Sequence, residues 1–268
     1  MRGLILFDLD GTLMDSAPGL AHSANFLRTR AGLAPLPYEA LREHCGRGAA
    51  GLIWAGLRMP TDAVAFGAAK RDFLAHYAQI MVQDSTLFEG VAEMLSQLRQ
   101  TGFDWGIVTN KAIELARPLC EAKGIAKNAA CILSGQSFAA AKPAPDALLH
   151  AMETLGYAAC ETIYVGDDAR DAQAAANAGV PFIAATWGYT GSGAQPFPTG
   201  ERPRWPDRFQ NFPNWPPDCC HAKHALPHLF CRRYQRQGAS MPRDGREERP
   251  PVRNRDRARR QAFSFRFP

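Results

Sequence analysis

The sequence predicts an α/β protein: a parallel five-stranded sheet with helices on both faces, an all-helical insertion after the first strand, and a basic Pro/Arg-rich C-terminal tail. Three observations predict it. Five short runs before residue 190 are continuously apolar but for Asp104 and Thr162, instead of alternating, as strands covered on both faces are. Helical patterns separate the later runs, which is the rhythm of βαβ units. Between about residues 15 and 85 that rhythm stops and no strand-like run occurs.

In chain order, GLILF (3–7) is the first strand. Helical stretches follow near 18–31, 38–45, 48–58 and 62–81, broken by APLP and RMP. The strand–helix alternation then resumes: a helix at 90–101, FDWGIV (103–108), a helix at 111–124, AACIL (129–133), a helix at 145–156, TIYV (162–165), a helix at 169–178 and PFIAA (181–185). These boundaries predict a discontinuous core from residues 1–14 and 86–190, a helical cap at 15–85 and a tail at 191–268. The insertion sits at the carboxyl end of the first strand, where open parallel sheets bind ligands.

The net charge of +5 over 268 residues averages two unlike parts. Residues 1–190 carry 15 Lys+Arg and 19 Asp+Glu, a net −4; residues 191–268 carry 16 and 7, a net +9, and twelve of the 20 prolines. No run of about 18 apolar residues exists to span a bilayer, and no charged-then-apolar leader precedes the motif that begins at residue 8. The expectation is a soluble, cytoplasmic protein with no membrane partner, a monomer or homodimer. Of seven cysteines, Cys45, Cys120, Cys131 and Cys160 are scattered through apolar or helical stretches and read as buried free thiols. The tail has three readings: a disordered extension, a stretch translated from a shifted reading frame, or a basic arm for nucleic acid. Its Cys219, Cys220, His221, His224, His228 and Cys231 match no zinc-finger spacing.

The chemistry concentrates where strands end. FDLDGT places Asp8 and Asp10 in a short loop directly after an apolar strand. Carboxylates are costly there without a partner, and two so close repel unless a cation lies between them. A hard divalent ion such as Mg²⁺ suits oxygen ligands and often shares its shell with a substrate phosphate. One aspartate is then able to attack phosphorus while the other moves protons; Gly11 and Thr12 would bring backbone N–H groups to the phosphate. A plain turn with two solvated aspartates is the bland alternative. Thr109 and Asn110 end the second strand with a hydroxyl and an amide for phosphoryl oxygens, or with a helix cap. Lys142, before Pro143, offers a fixed ammonium or an ordinary surface charge. YVGDDARD repeats the costly pattern with Asp167, Asp168 and Asp171; capping the next helix explains one of them and leaves the others.

The order DxDGT, a strand ending in Thr, Lys-Pro, then GDDARD resembles the haloacid dehalogenase superfamily of Mg²⁺-dependent phosphohydrolases, over residues 3 to about 190. The resemblance implies a Rossmann-like core with a mobile cap. It implies Asp8 as nucleophile and Asp10 as general acid/base, with Thr109 and Lys142 holding the phosphoryl group. It implies Mg²⁺ held by Asp8, the Asp10 backbone carbonyl and Asp167, with Asp171 and Asp168 supporting those ligands. Asp10 sets the chain apart from the dehalogenase branch, which lacks the second aspartate. The helical insertion is similar to the cap of phosphoglycolate phosphatases, although FEGV (88–91) has Glu89 where those have proline, implying a looser hinge. WGIVTNK and YVGDDARD also resemble N-acetylmuramic acid 6-phosphate phosphatases. In HCGRGAAGL (44–52), Arg47 sits in a turn that would meet a substrate carboxylate or hydroxyls; a simple helix–helix turn with an exposed Arg fits equally.

The expected function is therefore hydrolysis of a small phosphorylated metabolite, 2-phosphoglycolate first, through a phosphoaspartate. N-acetylmuramic acid 6-phosphate or another sugar phosphate is the alternative substrate. A sugar phosphomutase is the rival enzyme, and nucleic-acid binding through the tail the non-enzymatic rival.

Overall fold

The computed structural model of the chain describes residues 3–189. The tail readings and their Cys/His set lie outside the described residues. The first strand, β1 (Leu4–Phe7), is buried along its whole length. A two-residue strand, β2 (Met14–Asp15), leads into helices α1 (Ala17–Arg30), α2 (Tyr38–Arg42), α3 (Gly48–Leu57) and α4 (Phe66–Ile80), and β3 (Thr86–Leu87) leads out. Then follow α5 (Val91–Gln100), β4 (Asp104–Thr109), α6 (Ile113–Ala122), β5 (Ile132–Ser134), α7 (Asp146–Leu155), β6 (Thr162–Gly166), α8 (Ala169–Ala178) and β7 (Phe182–Ala184).

The large sheet has the order β5-β4-β1-β6-β7, and every neighbouring pair in it is parallel. β1 lies at its centre, with Leu4 opposite Asp104 and Thr162 and Phe7 opposite Ile107 and Val165. Alternate side chains of a strand point to opposite faces, and β1 serves two cores accordingly. Ile5 and Phe7 pack with Val91, Leu95 and Leu98 of α5 and Ala116 and Leu119 of α6. Leu4 and Leu6 pack with Ala147, Leu148 and Ala151 of α7 and Ala174 and Ala175 of α8. This double coverage is why the strand is apolar at every position. The core is Rossmann-like, and because all five strands run the same way, the loops after β1, β4 and β6 gather at one edge.

The insertion packs around α1, which touches α2, α3 and α4. Its buried side is mostly small, with Ala17, Gly19, Ala21, Ser23 and Ala24 beside Leu20 and Leu27, so the neighbours approach closely: a Cβ on Gly56 of α3 would lie 3.6 Å from the Ala24 carbonyl.

Four differences from the sequence reading stand out. The insertion is bracketed by an antiparallel ribbon, Met14 opposite Leu87 and Asp15 opposite Thr86, too short to leave a period in the sequence. The helix expected at 38–45 stops at Arg42 and is followed by a 3-10 turn, Cys45–Arg47. The helix expected from 111 begins at Ile113, because Ala112 is extended (φ −55°, ψ 139°); Lys111 thereby stays in the loop at the strand end. Of the four cysteines expected to be buried, Cys45 and Cys120 are, but Cys131 is half-buried and Cys160 exposed. Among the described residues no helix is long and apolar enough to cross a membrane.

Candidate active site

Asp8 continues β1, its N–H donating to the Val165 carbonyl (2.8 Å). The loop beyond it closes tightly on itself: the Leu9 carbonyl accepts from the N–H groups of Leu13 (3.0 Å) and Met14 (2.9 Å). The Gly11 N–H goes to the Met14 carbonyl (2.9 Å) and the Thr12 N–H to Leu9 (3.3 Å). These two groups, expected to face a phosphate, are used instead to build the turn. Gly11 has φ +84°, and a Cβ there would lie 2.2 Å from Oδ2 of Asp167. The loop therefore needs glycine twice over, for its left-handed backbone and for the close approach of a carboxylate.

Asp8 and Asp167 from the ends of β1 and β6 and Asp171 from the first turn of α8 converge, each offering a carboxylate oxygen within 4.8 Å of the others, and all three are buried. Asp167 accepts from the Thr12 hydroxyl (3.1 Å) and the Tyr189 N–H (2.8 Å), both neutral donors. Burial, then repulsion from Asp8 and Asp171, pushes its carboxyl up to about 8. Burial likewise lifts Asp8 to about 6, against the pull of Lys142.

Lys142 supplies the cation on the other side. Its Nζ donates to Asp171 Oδ1 (2.6 Å), the Tyr164 hydroxyl (2.7 Å) and the Val108 carbonyl (3.2 Å). It also lies 2.9 Å from Asp8 Oδ1, yet that oxygen accepts no directed hydrogen bond. The Asp8–Lys142 contact is thus an ion pair in which the ammonium aims its N–H groups at three other acceptors and leaves Asp8 Oδ1 room for a further positive partner. Asp171 is better provided: its Oδ2 also accepts the Asp168 N–H (3.1 Å). An all-oxygen cluster with surplus negative charge fits a hard divalent cation, and Asp8 and Asp167, whose carboxyls burial pushes up, are the members most in need of one.

Asp10 points elsewhere. Its Oδ1 accepts from the Ser16 hydroxyl (2.6 Å), and both oxygens accept from Lys111 Nζ at 3.1 Å. Lys111 also donates to the Tyr77 hydroxyl of α4 (2.8 Å). Burial pulls the Lys111 ammonium down, but Asp10 and Tyr77 outweigh it and hold the group above its ordinary value.

Thr109 is buried at the end of β4, its hydroxyl accepting the Lys111 N–H (3.2 Å). Asn110 turns its amide onto the Lys142 main chain, donating to the carbonyl and accepting from the N–H, both at 3.0 Å. It fixes the loop that carries Lys142. Asp168 caps α8, accepting the Arg170 N–H (2.8 Å), while Asp171 closes the capping box. Arg47 is exposed at the end of its 3-10 turn. The turn reaches the core through Gly46, whose carbonyl accepts from the Arg170 guanidinium. Arg170 in turn pairs with Asp168 (2.8 Å).

Three contributors escaped the sequence reading. Lys111 was hidden inside the expected helix. Tyr164 sits in an apolar run that reads as plain core. The Tyr189 hydroxyl accepts from the N–H groups of Ser16 (2.6 Å) and Ala17 (3.0 Å), capping α1 from 173 residues away. No local pattern announces such a cap; only the tyrosine of TWGYTG was visible.

The match to known proteins follows this geometry. The family model described as haloacid dehalogenase-like hydrolase matches residues 5–185. A phosphoglycolate phosphatase of Xanthomonas campestris pv. campestris is 40% identical over 185 residues, 69% of this chain and 83% of that protein. An N-acetylmuramic acid 6-phosphate phosphatase of Pseudomonas putida is 32% identical over 185 residues, with the same coverage. Among solved structures, that of a predicted phosphoglycolate phosphatase from Haemophilus somnus 129PT superposes with a TM-score of 0.64 at 30% identity, covering 70% of this chain and 87% of that one. With the aspartates of β1 and β6 meeting at the carboxyl edge of a β5-β4-β1-β6-β7 sheet, the chain belongs to the haloacid dehalogenase-like hydrolase family.

Proposed function

We propose that this hydrolase is a Mg²⁺-dependent phosphomonoesterase for a small phosphorylated metabolite, acting through a phosphoaspartate on Asp8. The observation that carries the reading is the buried Asp8–Asp167–Asp171 cluster, set beside a second carboxylate, Asp10, that is held separately by Ser16 and Lys111.

Asp8, Asp167 and the Asp10 main-chain carbonyl are the groups that would hold the ion. When bound, Mg²⁺ neutralises the cluster and the approaching phosphoryl group, so that anion can meet anion. Asp8 attacks phosphorus as the bond to the leaving oxygen breaks, and Asp10 gives that oxygen its proton. Asp10 then takes a proton from a water that displaces Asp8 from phosphorus, restoring both carboxyl groups. Thr109 and Lys142 hold the phosphoryl oxygens. Lys142 is braced for this by Asp171 and Tyr164, and Asn110 braces its loop. Asp168 supports the site indirectly, by starting α8 where Asp171 is needed.

Helices α1–α4 act as a cap that excludes bulk water during the first step and readmits one molecule for the second. Arg47, in the turn that Arg170 pins to the core, meets the substrate's distal group. The substrate we favour is 2-phosphoglycolate, supported by the Xanthomonas relative's name and identity.

Phosphate release from a panel of phosphomonoesters, with and without Mg²⁺, tests the reading. Magnesium-dependent hydrolysis with 2-phosphoglycolate preferred is the expected result. Preference for N-acetylmuramic acid 6-phosphate would replace the substrate, and no hydrolysis of any monoester would remove the function.

A further inference from the structure

Lys111 is an expensive residue to keep. Its side chain is only 6% exposed, and burying an ammonium carries a desolvation cost that an ion pair seldom more than repays. An apolar residue would fill the space at less cost. Asp10 does not need it at Oδ1, where Ser16 already donates at 2.6 Å; it is Oδ2 that takes its bond from Lys111. What Lys111 adds is direction: its Nζ stands 3.1 Å from both carboxylate oxygens, and this symmetric grip restrains rotation of the carboxylate. Its third bond leaves the core. Tyr77, 1% exposed on the last helix of the insertion, accepts from the same Nζ at 2.8 Å, and the ammonium lies 4.4 Å from the centre of the tyrosine ring.

We propose that Lys111 is a positioning residue that aims Asp10, and that Tyr77 makes this aim depend on the seating of α4 against the core. Resting on the assignment of Asp10 as acid and base, it links two things the mechanism leaves separate: where the cap is, and whether the proton-transfer group is set. With α4 seated, Tyr77 holds the ammonium and the ammonium holds the carboxylate. With α4 displaced, Lys111 loses a partner and Asp10 loses its fixed plane.

The test is rapid-mixing kinetics of the full chain with Mg²⁺ and p-nitrophenyl phosphate. Nitrophenolate leaves without much acid help, so the first step tolerates a misplaced Asp10, whereas the second needs Asp10 to activate water. Lys111→Met is expected to give a stoichiometric burst of nitrophenolate, then a steady rate about 100-fold below wild type, the scale of general acid–base assistance, with a lowered KM. Lys111→Arg is expected to recover most of the steady rate. Tyr77→Phe is expected to slow the steady rate several-fold in the wild-type background and not at all beside Lys111→Met. A merely structural role would instead shrink the burst in proportion to activity, and that result would overturn the proposal. So would a Lys111→Met rate close to wild type, or a Tyr77→Phe effect of equal size in both backgrounds. Asp10→Asn separates the two levels: if it turns over like wild type, or wild type releases no nitrophenolate, the acid–base reading falls together with the proposal. If Asp10→Asn is impaired and Lys111→Met is not, the proposal alone falls.

Discussion

The acidic cluster makes stability depend on pH and metal in a direction opposite to ordinary acid denaturation. Asp8 rises from 3.8 to about 6 and Asp167 from 3.8 to about 8 on folding, mainly through burial. In metal-free protein above about pH 4 the unfolded chain has released both protons while the folded chain still holds them. The folded state binds more protons, so stability falls as pH rises, first through the titration of Asp8 and then through that of Asp167. A tenfold difference in proton affinity between the folded and unfolded chain is worth about 1.4 kcal/mol, which gives a loss of about 3 kcal/mol for Asp8 alone and about 6 for Asp167 alone. Their mutual repulsion is one interaction that enters both figures, so the combined loss is smaller than their sum and still a large part of the 5–15 kcal/mol typical of a domain. The assay is urea unfolding of the chelated protein from about pH 5 to about pH 8.5, repeated with saturating Mg²⁺. The chelated series should lose stability steadily and the magnesium series should stay nearly flat, because a cation that binds only the folded state replaces the missing compensation. A chelated protein equally or more stable at the alkaline end would refute the argument.

Asp8→Asn should abolish phosphate release while leaving the protein folded, and should stabilise the metal-free form at alkaline pH by about 1–3 kcal/mol, since it removes one repelling charge; circular dichroism and urea titration check both halves. Lys142→Met strands Asp8 and Asp171 without their shared cation. Breaking a buried pair in this way costs about 3–5 kcal/mol, a fall of about 10 °C in melting temperature for a body of this size. Gly11→Ala sets a methyl group against Asp167 at a left-handed backbone position. It should cost about 2 kcal/mol or more and weaken Mg²⁺ binding measured by calorimetry; unaltered affinity would show that Asp167 does not depend on that close approach.

The sheet was legible because its strands are buried on both sides: LILF has no polar position and TIYVG no charged one, and the five runs read this way lie in five parallel strands. The carboxylates were legible because charge at the end of an apolar strand is physically expensive and demands a reason. What escaped depends on distance or on a single backbone angle. The β2–β3 ribbon has two residues a side, fewer than one period of alternation. Lys111 belongs to the site because α6 starts two residues late, a matter of the ψ of Ala112. Asn110 was expected to face phosphate on the strength of its amide, yet the structure turns that amide onto a neighbouring loop, a choice no one-dimensional pattern records. Tyr189 and Ser16 meet only after the chain has folded.

The narrow ribbon of Met14–Asp15 against Thr86–Leu87 has a consequence for how such a chain diversifies. The helices it encloses leave and rejoin the sheet at one doorway, a single hydrogen-bonded crossing wide. The chain therefore passes between sheet and insertion only at that doorway, and a few side-chain ties, Lys111 to Tyr77 and Arg170 to Gly46, are added beyond it. Helices can be lengthened, shed or swapped on the far side with no strand moving, provided acceptors remain where Tyr77 and Gly46 now meet the core. A new specificity is then a transplant rather than a redesign, and two enzymes that share this threshold and those two contacts would be expected to exchange what lies past it and still fold.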